Sequence, residues 1–238
     1  MKTNKIDLTK FKHSVIFTVD DLMPQATVSR ETLLKSLNRM VIAGQIAKAS
    51  RGKFYKPEKS IFGELKPDIS ELIKDLLYKN GKPVGYISGY GALNSLGLTT
   101  QVPNAIKIYT QKPKRAVTTV KYRISFCLQR NIITSDNIRL LTILDSLTLI
   151  NSIPDTEPYN VYSRFKSILL ELSADDINSM FILSLKYPPR TRALLGAFLE
   201  EIDAVQYLCR LKQSLKISYK FKTSLSKMLK FAQNWNLI

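Results

Sequence analysis

The side chains that most often carry out catalysis are sparse in this sequence. His13 is the only histidine, so a metal site with two histidine ligands, a Ser-His-Asp triad and a haem site are poorly supported. The phosphate-binding patterns G-x-x-x-x-G-K-[S/T] and strand–G-x-G-x-x-G–helix do not occur. The two cysteines, Cys127 and Cys209, form no C-x-x-C motif, which is typical of free thiols in a reducing compartment.

Three acidic clusters could in principle hold Mg²⁺ for phosphoryl chemistry. They are Asp20-Asp21, Asp175-Asp176 and the group Glu200, Glu201 and Asp203. Two of them fall in the first turn of a predicted helix, where the free N–H groups and the helix dipole favour acidic side chains. We therefore interpret these acids as helix-end residues, and we predict no catalytic residue, no metal and no cofactor.

The charge balance points to a polyanionic partner. The chain has 36 Lys and Arg against 19 Asp and Glu, a net charge of +17, which predicts binding to nucleic acid; a lysine-rich genome is the alternative explanation. Residues 1–60 are the densest part, with 12 basic and 5 acidic residues. The stretch 204–238 has no acidic residue and seven basic ones, which fits either a second phosphate-contacting face or a solvated helix face.

Composition and hydropathy favour a globular chain outside the membrane. Hydrophobic residues make up 45% and charged residues 23% of the sequence, which are ordinary globular values. Residues 1–12 lack the apolar core of a signal peptide, and no apolar stretch approaches the ~20 residues of a membrane span. We expect a cytoplasmic protein and no membrane partner.

The predicted fold class is α+β, with three successive domains. Residues 1–60 are predicted to form a winged helix-turn-helix, residues 61–150 a mixed α/β domain, and residues 151–238 a helical region. No internal repeat or low-complexity linker separates them, so we expect the segments to pack together.

The first segment has the element order of a winged helix. Thr18 is predicted to cap a short helix through Met23, and Ser29 a longer helix with one apolar stripe that ends at Gly44. Two short β runs, 45–48 and 53–56, then flank a turn that contains a glycine. In such a unit the second helix enters the major groove and the hairpin contacts the DNA backbone or the minor groove.

The candidate DNA-binding residues lie on that second helix and at the hairpin tip. Hydroxyl, amide and basic side chains suit base edges and phosphates, and a helix N-terminus offers free N–H groups to a phosphate. The predicted contacts are Ser29, Arg30, Thr32, Lys35, Ser36 and Arg39 on the helix, and Ser50, Arg51 and Lys53 on the hairpin.

Local signals also place elements in the other two segments. Asp68 is predicted to open a helix to about Asn80, and Ser88 a short helix that ends at Gly97. Strands are predicted at 105–110 and 117–127 and a helix from Ser135 to about Ile150. In the last segment, helices are predicted to begin near Thr156 and Ser173, to run from Thr191 to about Lys212, and to span 223–234.

Three runs resemble one family of bacterial proteins. The run Val28–Pro57, with "LNRMVIAGQI" and "RGKFYKP", resembles the N-terminal winged helix of AbiEi-family antitoxins, which are winged-helix transcriptional regulators of type IV toxin–antitoxin systems. The run Tyr86–Pro113, with "GYGALNSLGLTTQVP", is the most specific match, and "YPPRTRALLGAFLE" (Tyr187–Glu200) resembles C-terminal segments of one branch. The helical segment after about residue 150 is longer than in the shorter forms of the family.

The resemblance implies a bacterial protein that is associated with the nucleoid when bound to DNA and that functions in phage defence by abortive infection. Such antitoxins repress their own operon by binding inverted repeats in double-stranded operator DNA, and they neutralise a nucleotidyltransferase-like toxin. In the middle motif, Tyr90, Asn94, Thr100, Gln101 and Pro103 are either structural residues or contacts to that partner. In the structural interpretation, the turn after the helix is stabilised by Asn94, Thr100 and Gln101.

The sequence leaves three other functions open. The chain could be a solitary winged-helix regulator without a toxin. It could be an enzyme that cleaves or modifies nucleic acid with the acids of its middle or last segment. It could also be a protein-binding module whose positive charge meets an acidic toxin.

Overall fold

The computed structural model describes residues 13–61, 63–65, 67–101, 105–118, 122–215 and 219–238. Helices and small sheets alternate along the chain, which makes the fold a mixture of α and β structure. The chain divides into two compact units: unit 1 is Met1–Leu76 with Thr118–Tyr122, and unit 2 is Leu77–Val117 with Arg123–Ile238. The predicted boundaries near residues 60 and 150 lie inside unit 1 and unit 2, and the division into three domains stays a prediction.

Unit 1 is built around a three-stranded antiparallel sheet with strand order β1-β3-β2. Its first elements are β1 (Ile16–Thr18), α1 (Val19–Leu22), a 3-10 turn (Met23–Gln25), α2 (Arg30–Ile42), β2 (Ala47–Ser50) and β3 (Lys53–Tyr55). The predicted caps are confirmed: Thr18 and Asp21 form a capping box at α1, and the Ser29 hydroxyl accepts a hydrogen bond from the Thr32 N–H at 3.3 Å. Each cap satisfies an N–H group that the helix leaves free.

The core of unit 1 joins the helices to the sheet. Its buried residues are Phe17, Val19, Leu22, Leu33, Leu37, Ile46 and Phe54. A hairpin of β4 (Glu58–Ser60) and β5 (Gly63–Leu65) and the helix α3 (Ile69–Leu77) follow along the chain. The prediction that α3 continues to about Asn80 is wrong, because β6 (Tyr78–Lys79) and β7 (Lys82–Pro83) form a hairpin. Its turn is Asn80-Gly81, with φ of 51° and 73°, a pair suited to tight hairpins.

Unit 2 contains a four-stranded sheet with strand order β10-β11-β9-β8, except that Thr118 at the end of β10 belongs to unit 1. The strands are β8 (Gly85–Ser88), β9 (Ala105–Thr110), β10 (Val117–Thr118) and β11 (Arg123–Leu128). Strand β9 pairs antiparallel with β8 and parallel with β11. The helix α4 (Tyr90–Ser95) has Gly89, with a φ of 66°, as its N-cap residue instead of Ser88. The Ser88 cap prediction is wrong because its side chain is buried and bonded to Asp145.

Helices form the rest of unit 2 and enclose its main core. They are α5 (Ile138–Thr148), α6 (Pro158–Leu170), α7 (Ala174–Ser184), α8 (Pro189–Glu201) and α9 (Leu208–Gln213). The core includes Phe165, Phe181, Phe198 and Trp235. The helix predicted to start at Ser135 starts at Ile138, and those predicted at Thr156 and Ser173 begin at Pro158 and Ala174. No described helix has the length and apolarity that crossing a membrane requires.

Two predictions for the C-terminal part are wrong. The helix predicted from Thr191 to Lys212 is broken between α8 and α9, where Asp203 has a left-handed φ of 63°. The helix predicted at 223–234 is replaced by turns and a 3-10 helix, Ala232–Trp235. This segment closes on itself, since the N–H of Phe221 donates to the carbonyl of Asn236 and the N–H of Ile238 donates to the carbonyl of Phe221. The closure places the Trp235 ring directly against Gly196 of α8.

Candidate nucleic-acid interface

Helix α2 presents one polar, exposed face. Leu33 and Leu37 are buried in the core of unit 1, because apolar residues at this spacing share one side of a helix. The opposite side exposes Glu31, Thr32, Lys35, Asn38 and Arg39, with Ser36 half-buried. The side chains of Lys35 and Arg39 make no ion pair within the described part of the chain, so both cations are open to a ligand.

The N-terminal end of α2 adds a hydroxyl pair and an arginine. The hydroxyls of Ser29 and Thr32 lie 3.0 Å apart. Arg30 donates from Nε to the Asp20 carboxylate at 3.1 Å, and both side chains are largely exposed. Asp20 raises the pKa of Arg30 through this hydrogen bond. Exposed ion pairs contribute little to stability, so Arg30 can exchange Asp20 for another anion.

The hairpin between β2 and β3 follows α2 directly. Arg51 is exposed at its tip, Ser50 is half-buried, and Gly52 takes a φ of 77° that completes the turn. Lys53 differs from its prediction, because its ammonium donates to the carbonyl of Leu72 at 2.8 Å and pairs with Asp75 of α3. The Lys53 side chain is only 14% exposed, so we leave it out of the candidate interface.

The middle motif shapes the turn that follows α4. The Asn94 amide donates to the carbonyls of Thr99 and Gln101 at 3.3 and 3.4 Å, and the Gln101 amide donates to the Asp155 carboxylate. The hydroxyl that accepts from the Gln101 N–H is that of Thr99, whereas Thr100 is exposed. Tyr90 is also exposed, and Pro103 lies outside the described residues. Asn94 and Gln101 therefore hold the local backbone.

A buried polar cluster in unit 2 was missed by the sequence analysis. Asp145 of α5 is 2% exposed and accepts hydrogen bonds from the hydroxyls of Tyr86 (2.7 Å), Ser88 (2.9 Å) and Tyr187 (2.7 Å). The Gln129 amide donates to both tyrosine oxygens, at 2.7 and 3.1 Å. The available signal was a lone acid within the apolar run "LLTILDSLTLI". These residues are here called the Asp145 cluster.

Burial dominates the electrostatics of the Asp145 cluster. It raises the pKa of Asp145 to about 6, although the three hydroxyl donors and the positive charge of Lys107 favour the charged carboxylate. Burial, and then the negative charge of Asp145, also raises the pKa of Tyr86 and of Tyr187 well above the usual range. Both tyrosines therefore stay protonated and act as donors.

The acidic clusters considered for metal binding have structural partners. Asp21 and Asp176 complete the capping boxes of α1 and α7. Glu200 accepts from the Trp235 indole N–H at 2.6 Å, and Glu201 accepts from the Tyr162 hydroxyl at 2.6 Å. Over the described ranges, no group of three His, Cys, Asp or Glu residues could hold a metal ion.

Comparisons with known proteins show the fold and the family. No curated protein matches the sequence. The fold is similar to the crystal structure of the RV2827C protein from Mycobacterium tuberculosis, with a TM-score of 0.55 and 13% sequence identity, over 88% of this chain and 80% of that chain. The family DUF6088, described as a family of unknown function, matches residues 4–157. Because this match covers more than half of the sequence, the chain belongs to the DUF6088 family.

Proposed function

We propose that unit 1 is a winged helix-turn-helix domain that binds double-stranded DNA. The element order β1, α1, α2, β2, β3 and the antiparallel strand order β1-β3-β2 support this assignment. In this arrangement α2 is the recognition helix and the hairpin with Arg51 is the wing. The high positive charge of residues 1–60 supplies the attraction to the phosphate backbone.

The exposed polar face of α2 is the observation that carries the proposal. Lys35 and Arg39 lie one turn apart and are exposed, while Leu33 and Leu37 hold the opposite side in the core. A guanidinium can donate two hydrogen bonds to guanine, an amide such as that of Asn38 can bind adenine, and a lysine neutralises a phosphate. Base contacts supply specificity and phosphate contacts supply affinity.

Replacing Lys35 or Arg39 with alanine is expected to weaken DNA binding about fivefold or more, since a base-reading contact contributes about 1–3 kcal/mol and a lost phosphate contact weakens binding to all sequences. The measurement is a gel-shift titration of the full chain on a duplex from upstream of its own gene, at several salt concentrations. Each lost phosphate contact also reduces the salt dependence of log K by about 0.9. Lys79→Ala, which removes an exposed lysine from the β6–β7 hairpin, is the control. Wild-type affinity in both α2 variants would exclude α2 as the recognition helix.

We further propose that the chain is an autorepressor and antitoxin that counteracts a nucleotidyltransferase-like toxin. The support is the resemblance of the runs Val28–Pro57, Tyr86–Pro113 and Tyr187–Glu200 to AbiEi-family antitoxins. Co-expression with a nucleotidyltransferase-like product of the adjacent gene is expected to restore growth that this product alone arrests. Persistent growth arrest, with DNA binding intact, would favour a solitary regulator.

A further inference from the structure

Unit 2 contains a cavity of about 580 Å³ beside the Asp145 cluster. Its wall is formed by the ends of β9 and β11, the helix α5, and the segment that leads into α8. This volume lies in the range of small-molecule sites. None of the candidate DNA-binding residues lines this cavity, so it is not part of the proposed DNA interface.

Among the described residues, three cations line this cavity: Arg130, Lys186 and Arg192. None of them makes an ion pair with a described acidic residue. Lys186 donates to the carbonyl of Arg130 at 3.4 Å, and Arg192 donates from Nη1 to the carbonyl of Ser214 at 2.8 Å. Cations gathered in one concave site attract anions more strongly than the same cations spread over a surface.

Arg192 is the least satisfied of the three. Its Nε is buried and has no hydrogen-bond partner among the described residues, and burial lowers the pKa of the guanidinium. A guanidinium that is partly desolvated without a counterion costs free energy. A bound anion would offset this cost.

Asp145, the acid in the described cavity wall, forms no ion pair with these cations. Asp145 is occupied by the hydroxyls of Tyr86, Ser88 and Tyr187, and each of these bonds is directed within the Asp145 cluster. When Asp145 is ionised, the described lining of the cavity therefore carries three positive charges and one negative charge, which leaves an excess of positive charge for an anion.

The rest of the wall suits an organic group. The rings of Tyr109 and Tyr187 and the side chains of Leu128 and Pro188 line the cavity. Aromatic and apolar walls bury the body of a ligand, and a few polar groups fix its orientation. The cavity is also much larger than an inorganic phosphate, which leaves room for a group of sugar or nucleoside size.

We propose that this cavity binds a small organic phosphate. Arg192, Arg130 and Lys186 hold the phosphate, because arginine forks match its oxygens and lysine adds a point charge. The organic part lies against Tyr109 and Tyr187. A ligand at this site contacts residues at the end of β11, in α5 and in α8 of unit 2.

Isothermal titration calorimetry of the full chain tests the proposal. The probes are ribose 5-phosphate and adenosine 5′-monophosphate, with ribose and adenosine as their uncharged counterparts. We expect at least one phosphorylated probe to bind and its uncharged counterpart to bind at least tenfold more weakly. Arg192→Met and Arg130→Met are each expected to weaken binding at least tenfold, while Lys227→Met, an exposed lysine of unit 2 outside the cavity, leaves it unchanged.

The two arginine variants keep the test decisive. Arg130 is exposed and its side chain makes no hydrogen bond within the described ranges, so Arg130→Met is expected to fold even if Arg192→Met does not. Failure of both phosphorylated probes to bind the wild-type chain would overturn the proposal, and so would wild-type affinity in Arg130→Met. The readout is small-molecule binding, so its failure leaves the DNA-binding proposal unaffected.

Discussion

Replacing Trp235 with alanine is expected to lower the free energy of unfolding by about 3–5 kcal/mol, the usual cost of truncating a buried tryptophan. Trp235 is 1% exposed and lies in the main core of unit 2. Its indole N–H donates to the Glu200 carboxylate at 2.6 Å, and Lys212 lies 5.0 Å from its ring. Truncation removes this apolar area and also deprives Glu200 of its shortest hydrogen bond.

The loss is measured by urea unfolding followed by circular dichroism, because Trp235 is the only tryptophan and its fluorescence is lost with it. Tyr219→Ala removes an exposed aromatic ring near the same end of the chain and is expected to cost less than about 0.5 kcal/mol. A loss below about 1 kcal/mol for Trp235→Ala would contradict the packing described for this segment.

Asp145 is expected to make unit 2 less stable as the pH rises from about 4 to about 6. The pKa of Asp145 is raised to about 6 by burial, from the ordinary value of 3.8. Between these values the folded chain binds more protons at this carboxyl than the unfolded chain does. The contribution of the carboxyl to the free energy of unfolding is therefore largest below pH 4 and is lost by about pH 6. The loss amounts to about 3 kcal/mol.

The variant Asp145→Asn cannot ionise at this position, so its free energy of unfolding should not show this decrease. The measurement is the difference in free energy of unfolding between the variant and the wild type at intervals from pH 4 to pH 7. The contributions of the other titratable groups cancel in this difference. Asp136→Asn removes an exposed carboxylate and serves as the control. Parallel curves for Asp145→Asn and the wild type would show that the hydroxyl donors, and not burial, determine the ionisation of Asp145.

The caps and the apolar stripe of unit 1 could be predicted because their causes are local. Thr18 and Ser29 bond groups only three residues away, and the buried positions Leu33 and Leu37 share one helix face. The ion pair of Lys53 could not be predicted in this way. Its partner Asp75 is far along the chain, and nothing near Lys53 in the sequence indicates that its ammonium is occupied.

The candidate sites of unit 2 depend on contacts between distant parts of the sequence. Tyr86, Asp145 and Tyr187 come from β8, α5 and the segment before α8, and only the fold brings their oxygens together. The helix predicted at 223–234 fails for the same reason. Its periodic apolar residues suit a helix, but Leu225, Leu229 and Ala232 are buried in the main core of unit 2 by turns and a 3-10 helix instead.

Because Gly196 and Trp235 are in contact, we expect these two positions, which are distant in the sequence, to vary together during evolution. A Cβ at residue 196 would lie 2.2 Å from the indole ring, and that ring has no room to withdraw. Among descendants of a common ancestor, any larger residue at 196 must therefore accompany a smaller one at 235, and this covariation can be sought in related sequences.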